Sequence, residues 1–238
     1  MNEILFFLTV FVSFTGIVVT YRLFGKVGMW AWMAMATLLA NIEAVKCVEI
    51  FGLSTILGNV VYGSTFLSTD ILSENHGKNE AKTSVWVGLF FMVVSTLMIQ
   101  VSLLFVPNDA DFAHDSMKTV FSLIPRFTIA SLITYFISNR LDVFLYHFFS
   151  KKTKYIWFRN NGATMIAQFV DTLLFVVLSY VGIFDFKTMS EIFVSTYLIK
   201  AIIAVCDTPF LYWAKQIHDK SKDGWLFRRE APAAEAQS

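Results

Sequence analysis

Ionisable and hydrogen-bonding residues set in apolar surroundings are where this chain could do chemistry. The stretch 126–147, RFTIASLITYFISNRLDVFLYH, is apolar and long enough to cross a bilayer, yet it carries Arg126, Asn139, Arg140 and Asp142, with Ser131, Tyr135 and Ser138 between them. An ionisable group in hydrocarbon costs roughly 3 kcal/mol on insertion scales, so such groups turn to a bundle interior or a cavity. At about 100° per residue, Ser131, Tyr135, Asn139 and Asp142 fall on one helix face. That face is a polar stripe, and other segments must supply its partners.

Several do. Asp171 lies near the middle of an apolar stretch that also holds Thr164, Gln168 and Thr172. Lys200 lies near the middle of the next one, with Asp207 on the same face just before Pro209. Two spans thus bring unlike charges to one depth, either as an ion pair joining two helices or as a ligand site. In LSTDILSE, Asp70 and Glu74 are four apart on one face, with Asp70 deeper, behind Thr65 and Thr69. Asn41 and Glu43 are two apart, so only one of them points inward; Glu43 also suits an interfacial position. The hydrogen-bonding set suits a polar, neutral or weakly charged solute.

Other chemistries lack their residues. There is no GxGxxG, Walker, HExxH or CxxC pattern. His76, His114, His147 and His218 fall at span ends or in loops, and Cys47 and Cys206 have no Cys or His neighbours, so neither a metal site nor a cofactor is expected. Two midplane carboxylates sharing a proton would be the mark of an intramembrane hydrolase. That reading, and a non-transporting interaction protein, stand as alternatives from other classes.

The elements that must position these residues are set by composition. The 238 residues are 56% hydrophobic and 16% charged, with 25 Phe; a soluble domain carries about 25% charged residues and could not bury so much apolar surface. A span takes about 20 apolar residues. Seven segments qualify, at about 4–21, 29–46, 55–72, 85–106, 119–147, 162–184 and 190–214, followed by a solvated tail 215–238. Glu3 before the first segment and Tyr21-Arg22 after it predict a retained helix, not a cleaved signal. Lys and Arg favour the cytoplasmic loops. Alternate connections and the tail hold thirteen of them, from Arg22 to Arg229, against Lys46, Lys118 and Lys187 on the other side. The fold expected is an all-α polytopic membrane protein, a bundle of about seven transmembrane helices with its N-terminus outside and its C-terminus in the cytoplasm.

Four motifs in order, FLSTDIL (66–72), SNRLDVFLY (138–146), QFVDTLLF (168–175) and STYLIKAIIAV (195–205), resemble the queuosine precursor transporter family, also called the vitamin uptake transporter family. The resemblance runs from about Asn41 to Tyr212. It implies a six-helix core similar to the substrate-binding components of energy-coupling-factor vitamin importers, working without that ATPase module in a prokaryotic plasma membrane. It implies import of 7-deazaguanine precursors for tRNA modification: 7-cyano-7-deazaguanine, its aminomethyl relative and, as a further candidate, queuine. The positions it carries over are Asp70, Asn139, Asp142, Asp171, Lys200 and Asn41.

The ligand's chemistry accords with these residues. A deazaguanine offers N1–H and N2–H₂ donors side by side to one carboxylate, and an O6 acceptor to Lys, Asn or Gln. Asp171 or Asp70 is expected to read that edge, Gln168, Asn139 and Lys200 to complete the polar ring, and Tyr135 to stack. Asp142 with Arg140 or Arg126, together with Glu43 and Asp207, is assigned to gating or packing. The expected partners are the solute and the bilayer, with a homodimer possible and no nucleic acid. A substrate-binding subunit of an ATP-driven importer is the runner-up within transport.

Overall fold

The computed structural model describes residues 1–152, 156–206 and 208–220; within the helices it leaves out some side chains, those of Asn139 and Asp142 among them. Asp207 and the tail 221–238 lie outside the described residues.

The first helix, α1 (Asn2–Glu43), holds the first two predicted spans as two arms. Gly25, with φ 58° and ψ −141°, breaks the helix, a conformation that residues with a Cβ rarely adopt. The arms run antiparallel. A Cβ on Gly28 would sit 2.8 Å from the Thr20 carbonyl oxygen, one on Gly16 would touch Trp32, and Asn2 Nδ2 donates to the Glu49 carbonyl past the second arm.

The chain is mainly helical, as expected, and the next element is a short β-hairpin set between helices. Strands β1 (Cys47–Ile50) and β2 (Leu53–Ile56) pair antiparallel, with Cys47 opposite Ile56 and Ile50 opposite Leu53. The two-residue loop Phe51-Gly52 has positive φ at both positions, 53° and 74°, the pattern of a type I′ hairpin turn. The Phe51 ring packs edge-on to Phe6 and Phe7, and its N–H donates to Glu3, pinning the hairpin to the first arm.

The remaining helices are α2 (Gly58–His76), α3 (Lys78–Ser102), the short α4 (His114–Phe121), α5 (Ile124–Lys152), α6 (Ile156–Tyr180), α7 (Phe186–Cys206) and α8 (Thr208–Lys220). The last predicted span, 190–214, corresponds to α7 and the first part of α8, which are described on either side of Asp207.

Asn2–Glu43, Lys78–Ser102 and His114–Ser138 are long and apolar enough to cross a bilayer. Their outward faces expose Phe7, Phe11, Phe90, Leu97 and Met98, as a lipid-facing surface would. The chain is a membrane-embedded, mainly helical protein. Packing between such helices relies on close contact and interhelical hydrogen bonds, since burial from lipid gains little. Here Trp32 Nε1 donates to Ser64 Oγ at 3.0 Å, Thr96 and Thr128 hydroxyls meet at 2.8 Å, and Tyr180 donates to the Ala44 carbonyl at 3.1 Å. One end of the bundle carries the β-hairpin, the end of α6 and the start of α7; the other carries α8.

Candidate functional site

Two adjoining cavities lie inside the bundle. The one nearer the β-hairpin, about 60 Å³, begins under Ala44 and Ile56 and is lined in depth by Asn41, Asn59, Tyr62, Thr134, Asp171 and Lys200. The one towards α8, about 280 Å³, extends to Thr69 and Val85 and takes in Thr37, Tyr62, Tyr135, Ser138, Gln168 and Asp171. Asn41, Tyr62, Ser131 and Asp171 line both. Ligand pockets commonly enclose about 300–1,000 Å³; the α8-side cavity comes close to that range and is the one with room for a bicyclic base, and the hairpin-side cavity is a small annex to it.

Charge sits at the junction. Lys200 Nζ on α7 donates to Asp171 Oδ2 on α6 at 2.8 Å and to Thr172 Oγ1 at 3.0 Å. Both partners are mostly buried, with side chains 13% and 22% exposed. The pair uses one carboxylate oxygen; Oδ1 accepts no hydrogen bond among the described residues. On α2, Asn59 Nδ2 donates to Thr196 Oγ1 at 2.7 Å, so α2, α6 and α7 are fastened together around the hairpin-side cavity.

The cavity walls also leave polar atoms unmatched. Among the described residues, Asn41 Nδ2, Thr134 Oγ1, Ser138 Oγ and Gln168 Oε1 are buried without a hydrogen-bond partner, and all four residues line these cavities. Leaving such groups unpaired costs about 1–3 kcal/mol each. Concentrated at one place, they offer a donor, an acceptor and two hydroxyls to an incoming polar solute.

Of the residues singled out from the sequence, Asn41, Tyr135, Gln168, Asp171 and Lys200 come together here. Asn41 is 5% exposed and borders both cavities, whereas Glu43 lines neither and lies near Lys46 at the helix end. Asp70 follows the cavity-lining Thr69 but lines neither cavity and is exposed. Arg126 donates through Nε to the Leu178 carbonyl at 2.8 Å and through Nη2 to that of Val181; it caps the C-terminal carbonyls of α6, a favourable place for a cation. Arg140 is exposed on α5. The side chains of Asn139 and Asp142, and Asp207 altogether, lie outside the described residues.

Sequence reasoning passed over Asn59, Tyr62, Thr134 and Thr196. The signal for two of them was present: Asn59, Tyr62, Thr65 or Phe66, and Thr69 recur at helical spacing on α2. Asn59 and Tyr62 fall at the start of a span, where polar residues read as interfacial. Among the described residues, no group of three or more His, Cys, Asp or Glu side chains gathers to hold a metal.

Beyond the spans, Lys215 on α8 donates to Glu74 at the end of α2 and holds that carboxyl below its ordinary range. The Thr188 hydroxyl does the same for Asp185, which caps the start of α7.

A bundle apolar outside and hollow inside, its cavities holding a buried ion pair and a few convergent polar groups, has the character of a membrane solute carrier. Residues 56–214 match the family model described as "Putative vitamin uptake transporter". The chain is 36% identical over 209 residues to the "Probable queuosine precursor transporter" of Bacillus subtilis (strain 168), an alignment covering 87% of this chain and 91% of that protein. No solved structure matches it. The chain belongs to the vitamin uptake transporter family.

Proposed function

We propose that this protein imports queuosine precursors, 7-deazaguanine bases such as 7-cyano-7-deazaguanine and its aminomethyl relative, through the two adjoining cavities. The observation that carries the reading is the gathering, around the two adjoining cavities, of the Lys200–Asp171 pair and four buried polar atoms that lack partners among the described residues. Asp171 offers a carboxylate oxygen to the N1–H and N2–H₂ edge. Asn41 and Lys200 offer donors to O6, and Tyr135 and Tyr62 offer aromatic faces. A base lacking that edge would leave these groups unpaired, and such sites discriminate strongly. The relative named for queuosine precursor transport agrees with this solute class.

We further propose seven spans in a prokaryotic plasma membrane: the two arms of α1, then α2, α3, α5, α6 and α7. The excess of Lys and Arg in alternate connections puts the β-hairpin outside and α8 in the cytoplasm. In this reading the six helices after the first arm form a core like that of energy-coupling-factor substrate-binding components, and uptake needs no ATPase partner.

The test is the queuosine content of tRNA in cells that cannot make the precursor, express this chain and are fed nanomolar 7-cyano-7-deazaguanine. Restoration by the intact chain and its loss in Asp171→Ala or Lys200→Ala, at equal protein in the membrane, is the expected result. No restoration with any deazapurine would overturn the substrate assignment.

A further inference from the structure

Tyr62 is the one aromatic residue among the four that line both cavities. Lys200 borders only the hairpin-side cavity; Tyr135, Ser138 and Gln168 border only the α8-side cavity. A solute passing from one chamber to the other must therefore pass Asn41, Tyr62, Ser131 and Asp171, and Tyr62 is the bulkiest of these.

Its backbone is held while its ring is not. One turn before it, Asn59 is bonded to Thr196 of α7; just after it, Ser64 accepts from Trp32 of α1, and Thr65 Oγ1 donates to the Tyr62 carbonyl at 2.6 Å. The ring itself has an edge-on contact with Phe66, at 5.6 Å between centroids. Among the described residues its hydroxyl makes no hydrogen bond. The Asp171 carboxylate and the Tyr135 phenol lie close enough to act on it electrostatically. A phenol without a hydrogen bond among the described residues, on a fixed backbone, between two chambers, can turn by a rotamer change without disturbing the helix. Such changes cost little in a side chain that no partner anchors.

We propose that Tyr62 is the gate between the two chambers and the ring on which the transported base stacks. Turned across the junction, it separates the chambers. Turned aside, it lets a planar base through while keeping a face against it. The stacking half rests on the deazapurine reading above; the gating half does not, and it is tested without substrate.

Thr134 and Ser138 are one turn apart on α5 and line different chambers, the hairpin-side and the α8-side respectively. Thr134→Cys and Ser138→Cys, each made in a chain with Cys47 and Cys206 replaced by Ala, are exposed to a membrane-impermeant thiol reagent in right-side-out and inverted vesicles. With Tyr62 or Tyr62→Phe, position 134 should react from the hairpin face alone and position 138 from the α8 face alone. With Tyr62→Ala, both should react from both faces. Equal reaction from either face with Tyr62 intact, one-sided reaction that survives Tyr62→Ala, or no reaction at either position would overturn the gate. For stacking, Tyr62→Leu should raise the KM for 7-cyano-7-deazaguanine about tenfold, since one stacked base is worth roughly 1–3 kcal/mol, while Tyr62→Phe stays near the intact chain. An unchanged KM in Tyr62→Leu would remove stacking. Failure of the intact chain to carry any deazapurine would count against the substrate class and leave the labelling result standing.

Discussion

At the scale of single residues, the Lys200–Asp171 pair joins structure to function. Removing one partner of a buried pair leaves an uncompensated charge and typically costs about 3–5 kcal/mol, whereas removing both is often close to neutral. Lys200→Met alone should therefore lower the thermal midpoint in detergent markedly, and Lys200→Met with Asp171→Asn should recover most of it. Neither should restore uptake. If the double variant is as unstable as the single one, the pair does more than compensate charge. Asn41 makes the opposite case. Its Nδ2 is buried without a partner, so Asn41→Leu should leave stability unchanged or raised while uptake falls at least tenfold; Glu43→Gln should change neither. A thermal melt and an initial-rate measurement on each variant decide it. Both carriers of this chemistry were legible as polar residues deep in apolar spans, because few other reasons place an Asp and a Lys there. Which of Asn41 and Glu43 turns inward was not legible, since a two-residue spacing says that one does and gives no phase.

At the scale of elements, close approach decides. A Cβ on Gly58 would lie 2.2 Å from the Ala40 carbonyl oxygen and 3.1 Å from the Ala44 nitrogen, both backbone atoms. The second arm of α1 would have to separate from α2, and the Asn41 side of the hairpin-side cavity would move with it. Gly58→Ala should thus reduce folded protein in the membrane severely, and survivors should show a raised KM; normal yield and KM would mean the two elements can shift apart freely. The tie between α2 and α8 gives a pH dependence instead. Lys215 holds the Glu74 carboxyl below its ordinary value of 4.5, so this tie is fully present above about pH 4.5 and fades as the pH falls through the depressed value. Trp213 on α8 should report an acid-induced change in fluorescence that Glu74→Gln abolishes; an identical acid step in Glu74→Gln would assign it elsewhere. The spans themselves were readable from hydropathy, because the bilayer fixes their length. The β-hairpin was not: Cys47–Ile56 is short, its turn is Phe-Gly and not Asn-Gly, and most of it falls in the connection between the predicted spans 29–46 and 55–72, where hydropathy carries no strand signal. α8 is apolar on one face, with Phe210, Leu211 and Ile217 packed on the core.

At the scale of the whole molecule, the question is what drives the solute inward. The sequence has no nucleotide-binding motif, and among the described residues the charges lining the cavities close on each other as Lys200 and Asp171. A carrier whose mobile parts are neutral, such as a tyrosine ring, moves only the charge of its cargo. The two proposed solutes differ in this: the cyano compound is neutral and the aminomethyl compound carries a cationic amine. One elementary charge crossing 100 mV is worth about 2.3 kcal/mol, an accumulation ratio of about 50. In vesicles containing only this chain, an inside-negative potential of about 100 mV should leave the initial uptake of the cyano compound within about twofold. The same potential should drive the aminomethyl compound towards that ratio. Strong potential dependence for the neutral compound would mean that an ion or a charged side chain travels with it. Asp142 and Asp207, two further acids in apolar stretches, would then be the first to substitute.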